Sequence, residues 1–287
     1  MYRWNMGPLV SIIIPNFNNA NFVIAAVQSA IAQDYSPCEI IVIDDGSTDN
    51  SLKILQSLGE HITIISILNA GAAAARNVGL NNATGAYIAL LDSDDIWTQD
   101  KISKQMKMMI DFNLDLVYCG GQEFENNNTN GLIHAPIFSG NCYPYFKRFP
   151  TRAIIDLGCS SALFRKSLLK SSGLFDSAFL GAAEDWDFFR RYCRIAKVGF
   201  LPEILVHYRK HSRNISSGSK FKYYLGNRRA ILKMFCEDEG IKWLEKRNVW
   251  MKFHFLSAKS LAKEGNLIYA IFLLIRIIGP INTSMLE

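Results

Sequence analysis

Apolar residues in the first 120 positions come in short dense runs, separated by segments with helical spacing. Residues 9–15 (LVSIIIP) are β-branched and almost wholly apolar, as a strand buried on both faces requires. Residues 39–44 (EIIVID) repeat that signature, 62–68 (ITIISIL) and 86–91 (AYIALL) read as a third and a fourth strand, and 114–119 predicts a fifth. Between them, Phe22, Ala26, Ser29, Ala30 and Gln33 fall on one face of a helix over 20–33. Ile54, Leu55 and Leu58 share a face over 48–58, 70–82 is Ala-rich and helical, and 100–112 predicts another helix. Strands alternating with helices predict an α/β fold of right-handed βαβ units, with a mostly parallel, Rossmann-like sheet flanked by helices.

After about residue 120 the pattern degrades. Residues 125–131 (ENNNTNG) read as a polar turn or loop. Residues 141–150 are aromatic-rich with two prolines and predict irregular binding surface. Helices are expected over 160–169 and 185–194, a strand over 201–208, and helices throughout 221–279 as a C-terminal appendage. The longest apolar run, 267–279 (LIYAIFLLIRIIG), contains Arg276 and is too short to span a bilayer, which takes roughly 20 residues. A buried core helix is the first expectation there, an interfacial helix the second.

The chain of 287 residues is 49% hydrophobic and 20% charged, which is ordinary globular composition. Its net charge of +5 is unevenly spread. Residues 1–146 hold 6 basic and 14 acidic residues, and 147–233 hold 18 and 6. The basic segment suits phosphates, an anionic acceptor or a membrane surface, and equally a plain solvated face. No pair of the six cysteines forms a CxxC motif, and the N-terminal residues lack a signal-peptide pattern. Reduced thiols in a cytoplasmic protein are expected.

In parallel sheets ligands bind beyond the carboxyl ends of the strands. That rule gathers residues 15–18, the pair Asp44 and Asp45, and the cluster Asp92, Asp94 and Asp95 into one crevice. Carboxylates this close repel one another, and Mg²⁺ or Mn²⁺ held together with substrate phosphates would relieve them. A helix N-cap at Asp95 would account for only one of the three. In 42–50 (VIDDGSTDN), a carboxylate could accept hydrogen bonds from a base or ribose, with Gly46 making the turn and Ser47 or Thr48 capping the next helix. In 181–191 (GAAEDWDFFRR), Asp185 lies between Glu184 and Trp186, neighbours that raise a carboxyl pKa, although an acidic helix start explains the pattern as simply. In 206–216 (VHYRKHSRNIS), His207 and His211 are four apart, but Tyr208 stands where a zinc hydrolase needs glutamate. Arg209 and Arg213 are candidates for phosphate oxygens. The chain has neither GxGxxG after the first strand nor GxxxxGK[ST], which speaks against a dinucleotide fold and a P-loop.

Taken in order, VSIIIPNFNN, EIIVIDDGSTDNS, NAGAAAARNVGL, GAYIALLDSDDIW, EDWDFFRR and HYRKHS resemble the inverting glycosyltransferases of family 2 over roughly residues 8–216. The resemblance implies the GT-A fold, with a transferase domain over 1–220 and a C-terminal helical region over 221–287. Within the domain, a nucleotide-sugar half covers about 8–120 and an acceptor half about 121–220. It implies a hexosyltransferase that uses a nucleoside-diphosphate sugar, with a UDP-sugar expected, and Mn²⁺ or Mg²⁺. Pro15 and Asp45 would line the base pocket, with Asn16 and Phe17 on the donor side. Asp92 would lie near the ribose, and Arg76 would support the nucleotide. Asp94, with Asp95 beside it, would face the metal, and His211 matches a histidine often found near that ion. Asp185 matches the catalytic base, with Glu184, Trp186 and Arg209 around the site. The acceptor would be a saccharide or lipid-linked saccharide in bacterial polysaccharide synthesis. The protein would be cytoplasmic, and no nucleic-acid partner is expected; separately from the resemblance, the apolar 267–279 run and the basic 147–233 segment suggest peripheral membrane contact through the C-terminal helices. Two rivals are an inactive nucleotide-binding protein of the same fold and a Mg²⁺-dependent phospho-receiver domain. The second is too short and leaves DSDD and EDWD unexplained. A related nucleotidyltransferase would carry a Gly-rich basic loop where this chain has PNFNNAN.

Overall fold

The structure, a computed structural model, describes residues 7–125, 131–135, 138–147, 158–179, 182–212, 214 and 219–277. Most of the 125–131 loop, the end of the 141–150 segment, Arg213 and the last two residues of the 267–279 run therefore lie outside the described residues.

The first half alternates as the apolar runs predict. Strand β1 (Val10–Asn16), helix α1 (Val23–Ile31), β2 (Cys38–Asp44), α2 (Ser51–Gln56), β3 (Thr63–Ser66), α3 (Ala72–Asn82) and β4 (Tyr87–Leu90) follow in turn. Next come β5 (Ile96–Trp97), α4 (Lys101–Asp111), β6 (Leu116–Phe124), β7 (Ile133–His134) and the short α5 (Tyr143–Phe146). The remainder is β8 (Ala162–Arg165), α6 (Leu169–Ser172), α7 (Glu184–Cys193), β9 (Val198–Arg209), α8 (Lys220–Glu237), α9 (Trp243–Lys263) and α10 (Leu267–Arg276).

Among the described residues nine strands form one mixed sheet in the order β3-β2-β1-β4-β8-β6-β9-β5, with β7 on β6. Strands β1 to β4 are mutually parallel, β8 runs antiparallel between β4 and β6, and β9 is parallel to β6. Side chains of period two sort onto the two faces. Ile12, Ile14, Val42 and Ala89 pack with α1 and α4 through Val23, Val27, Ile102 and Met106. Ile13, Ile41, Ile43 and Leu90 pack with α3 and α7 through Ala73, Ala75, Phe188 and Tyr192. Burial on both faces is why these strands read as continuous apolar runs.

Four expectations need correction. Residues 160–169 are not a helix, because 162–165 form β8, held by pairing to β4 and β6 far away in sequence. Asp95 does not cap a helix, because it is followed by β5, which pairs with β9, and α4 starts only at Lys101. Neither Ser47 nor Thr48 caps α2, which starts at Ser51, whose N–H is bound by Asp49 Oδ1. The 267–276 helix is not buried in the core, because α10 buries only Ala270 and Leu273 among its residues. It packs with α8 and α9 around a separate cluster that includes Phe235, Trp250 and Phe253. All six cysteines are free thiols.

Candidate functional site

Strands β1 and β2 end side by side, with Asn16 opposite Asp44. Asn16 Nδ2 donates to Asp44 Oδ1 (2.9 Å) and to Ser47 Oγ (3.2 Å). Asn18 Oδ1 accepts from the N–H groups of Thr48 (2.8 Å) and Asp49 (3.2 Å), so the loops after the two strands are laced together. Asn16 is buried, and its Oδ1 has no hydrogen-bond partner among the described residues. A buried acceptor left unpaired calls for an explanation, and a bound donor molecule is one. Pro15 is buried in β1, whereas Phe17 just beyond it is 46% exposed. Both oxygens of the buried Asp45 carboxylate accept backbone N–H groups, from Ala70 (2.8 Å) and Gly71 (2.9 Å). Asp45 thereby fastens the loop that leads into α3.

Past β4 the three aspartates of DSDD separate into different surroundings. Asp92 Oδ1 accepts from Arg76 Nη2 at 2.8 Å. Asp94 Oδ2 lies 3.0 Å from His211 Nε2 and 3.5 Å from Asn214 Nδ2. Burial, with Asp92 nearby, raises the Asp94 pKa, and His211 opposes that rise. Asp95 is fully buried, where it accepts from Ser160 Oγ (2.6 Å) and the Arg209 N–H (3.1 Å). Burial and the neighbouring Asp94 and Asp92 hold its carboxyl well above the usual range. Asp95 thus latches the turn from inside and leaves the open side to Asp94.

Arg209 serves the same turn. Its Nε donates to the Asp94 carbonyl (2.9 Å), and its guanidinium sits 4.9 Å and 4.4 Å from the centroids of Phe22 and Phe124. The His211 ring packs on Phe22 as well, at 4.6 Å. Arg209 thus holds the turn that presents Asp94.

Arg76 links the two ends of the crevice. It is buried in α3, with Nη2 on Asp92 and Nη1 3.5 Å from Glu184 at the start of α7. Asp185 follows, half-buried, its Oδ1 accepting its neighbour Trp186 N–H at 2.7 Å. Burial and then the Glu184 charge push the Asp185 carboxyl up to about 6, against the opposing pull of Arg76. Such a group changes charge near neutral pH, as a general base needs. Gly158 faces it with a left-handed φ of +54°, and a Cβ there would stand 2.9 Å from Asp185 Oδ2.

Residues 158–161 (GCSS) were missed by sequence reasoning. Ser160 Oγ accepts the Asp92 N–H (3.1 Å) while donating to Asp95, and the Ser160 carbonyl accepts Trp97 Nε1 (2.8 Å). Asn214, Phe22 and Phe124 also escaped notice. Ser160 and Phe124 carry no motif, Asn214 is not singled out within 206–216, and Phe22 reads only as a helix-face residue; the fold brings them to the aspartates.

The donor set can be weighed for a cation. Asp94 Oδ2 and His211 Nε2 stand 3.0 Å apart, in direct hydrogen-bond contact, and a carboxylate oxygen and an imidazole nitrogen are both ligand types for Mn²⁺. Among the described residues no group of three or more His, Cys, Asp and Glu side chains could hold a metal. Two protein ligands suit an ion whose other positions are filled by diphosphate and water rather than by a protein cage.

Residues 11–173, more than half of the chain, match the model of glycosyl transferase family 2. The chain is 34% identical over 212 residues to an uncharacterized glycosyltransferase of Rickettsia typhi, covering 71% of this chain and 64% of that one. It is 42% identical over 130 residues to WfgD of Escherichia coli, a UDP-Glc:alpha-D-GlcNAc-diphosphoundecaprenol beta-1,3-glucosyltransferase, covering 45% of this chain and 51% of that one. The chain thus spans less than two thirds of the length of these relatives. TarS of S. aureus in complex with UDP-GlcNAc superposes with a TM-score of 0.70 at 20% identity, over 96% of this chain and 83% of that one. A mannosyltransferase of Pyrobaculum calidifontis in complex with GDP-Man and Mn²⁺ gives a TM-score of 0.62 at 17% identity, over 97% and 78%. At such identities these two show the fold, and the family match supplies the rest: the chain belongs to glycosyl transferase family 2 and has the GT-A fold.

Proposed function

We propose that the chain moves a sugar from a UDP-sugar to a hydroxyl of a saccharide or lipid-linked saccharide, in one displacement that inverts the anomeric carbon. The observation that carries this reading is the Arg76 guanidinium, which touches Asp92 on the donor side and Glu184 beside Asp185. One rigid group thereby sets the distance between donor carboxylates and base. The choice of UDP and of a lipid-linked acceptor is supported by the substrates in the name of WfgD and by the UDP-GlcNAc held by TarS.

In this reading Asn16 and Asp45 meet the nucleoside, with Pro15 and Phe17 along its pocket and Asp92 near the ribose. Asp94 and His211 would hold Mn²⁺ or Mg²⁺, which when bound neutralises charge developing on the leaving nucleoside diphosphate. Asp185 takes the proton of the acceptor hydroxyl as that oxygen bonds to the anomeric carbon and the bond to the diphosphate breaks. A positioned base contributes about 10²–10⁴ in rate, or about 3–5 kcal/mol.

Calorimetric titration with UDP, GDP and dTDP, each with Mn²⁺ and with EDTA, tests the donor end. The expected result is tight binding of UDP that needs Mn²⁺ and is lost in Asp94→Ala. Binding of no nucleotide would overturn the reading. Nucleotide binding with neither transfer of a sugar to any acceptor nor hydrolysis of a nucleotide-sugar by water would favour an inactive nucleotide-binding protein.

A further inference from the structure

Helices α9 and α10 leave an apolar and basic face in solvent. On α10, Ile268 is 84% and Ile275 64% exposed, with Ile271 and Phe272 exposed between them. On α9, Phe255 is exposed, as are Lys252, Lys259 and Lys263. Monomeric proteins rarely leave apolar side chains clustered this way unless something covers them. No described helix is long and apolar enough to cross a membrane. A ten-residue helix that is apolar outward instead suits an orientation along an interface.

Charge chooses the occupant. Residues 243–277, which span both helices, hold six basic side chains and two acidic ones, Glu245 and Glu264. A second copy of the chain would bring the same positive face against itself, and like charges across an interface oppose association. A surface of anionic lipid supplies the opposite charge and an apolar layer for the isoleucines. We propose that the α9–α10 face docks on an anionic lipid bilayer.

The docked helices follow the site closely along the chain. Phe221 of α8 packs 5.1 Å from Tyr269 of α10. Helix α8 begins at Lys220, six residues after Asn214, which approaches Asp94. That a lipid-linked acceptor shares this bilayer rests on the proposed reaction, whereas the docking itself does not.

Flotation of the full chain with vesicles tests the docking without any donor, so its failure is distinguishable from failure of the transferase reading. Neutral phosphatidylcholine vesicles would be compared with vesicles in which about a third of the lipid is phosphatidylglycerol. The expected result is binding to the anionic vesicles at least about tenfold above the neutral ones, weakened by salt. An Ile268→Glu/Ile271→Glu/Phe272→Glu variant and a Lys252→Glu/Lys259→Glu/Lys263→Glu variant should each lose about tenfold or more. All six positions are exposed, so circular dichroism and melting should match the unaltered chain. Absence of flotation at low salt, equal binding to neutral vesicles, or unaltered binding by either variant would overturn the proposal. So would a dimer in equilibrium sedimentation that the Ile/Phe variant dissolves while vesicles capture nothing, which would assign the face to a second copy.

Discussion

Asp185 is the residue on which the proposed chemistry turns, and its protonation has a readable sign. Its carboxyl is pushed up to about 6, and only the ionised form can take a proton. The rate at low substrate should therefore rise with pH through about 6 and level off above it. Asp185→Asn should remove that limb and cut turnover by about 10²–10⁴ while leaving UDP titration unchanged. A variant that keeps most of its turnover would show the base to lie elsewhere. Ser160 acts one step back, since its hydroxyl bonds both the Asp92 N–H and the buried Asp95 carboxyl. Ser160→Ala leaves the buried Asp95 carboxyl without that partner, at a cost of about 1–3 kcal/mol. Urea unfolding should detect the loss. Weaker Mn²⁺-dependent UDP binding should accompany it, because Asp94 sits between the two groups in the turn.

At the scale of elements, α8 presses on the turn that delivers Asp185. A Cβ at Gly226 would lie 2.5 Å from the Ala182 carbonyl oxygen and 2.6 Å from Ala182 Cβ. Ala183, next in that turn, already holds a left-handed φ of +67°. Replacing a helical glycine with alanine ordinarily stabilises by roughly 0.5–1 kcal/mol. Gly226→Ala should do the reverse here, because backbone must move, and a displacement near 1 Å at the base lowers turnover by about 10²-fold. Steady-state kinetics beside UDP titration would check it: kcat falls and donor affinity holds. None of this contact was legible in the sequence, where Gly226 is one glycine in an unremarked helix. Strands β1, β2 and β4 were legible because burial on both faces leaves a continuous apolar run, and the rule for strand ends then gathered Asn16, Asp45 and Asp94. Strand β8 was not, since ALFR inside SSALFRKSLL fits either period and only partners far along the chain decide it. For α10, an apolar stretch reads alike whether it is covered by protein or left for another surface.

At the scale of the whole molecule, the sheet and the C-terminal helices have separate cores that meet at Trp186, which packs against both. Charged groups reinforce the joint, with the buried Asp187 of α7 accepting from Arg190 (2.8 Å), Arg191 (3.0 Å) and Lys233 of α8 (3.0 Å). The two halves should answer acid in opposite ways. His254 is fully buried in the helical cluster, Nδ1 on the Trp250 carbonyl (2.9 Å) and Nε2 facing the Tyr224 hydroxyl (3.3 Å), and burial pushes it down to about 4. The unfolded chain binds a proton there from about pH 6.5 downward, the folded chain only near 4, so stability falls as pH drops through that window. The gap corresponds to roughly 3 kcal/mol. Asp185 works the other way: its folded pKa lies above its unfolded value, so protonation between about 6 and 4 relieves the catalytic end. Hydrogen exchange corrected for intrinsic rates, at pH 7 and pH 5, should show α8 and α9 losing protection while β1, β2 and β4 keep theirs. His254→Phe should abolish the difference, because a ring of similar size that takes no proton removes the linkage. An equal loss across sheet and helices, or a difference that survives in His254→Phe, would mean that the two cores open as one unit and that the histidine is not what couples the helical end to acid.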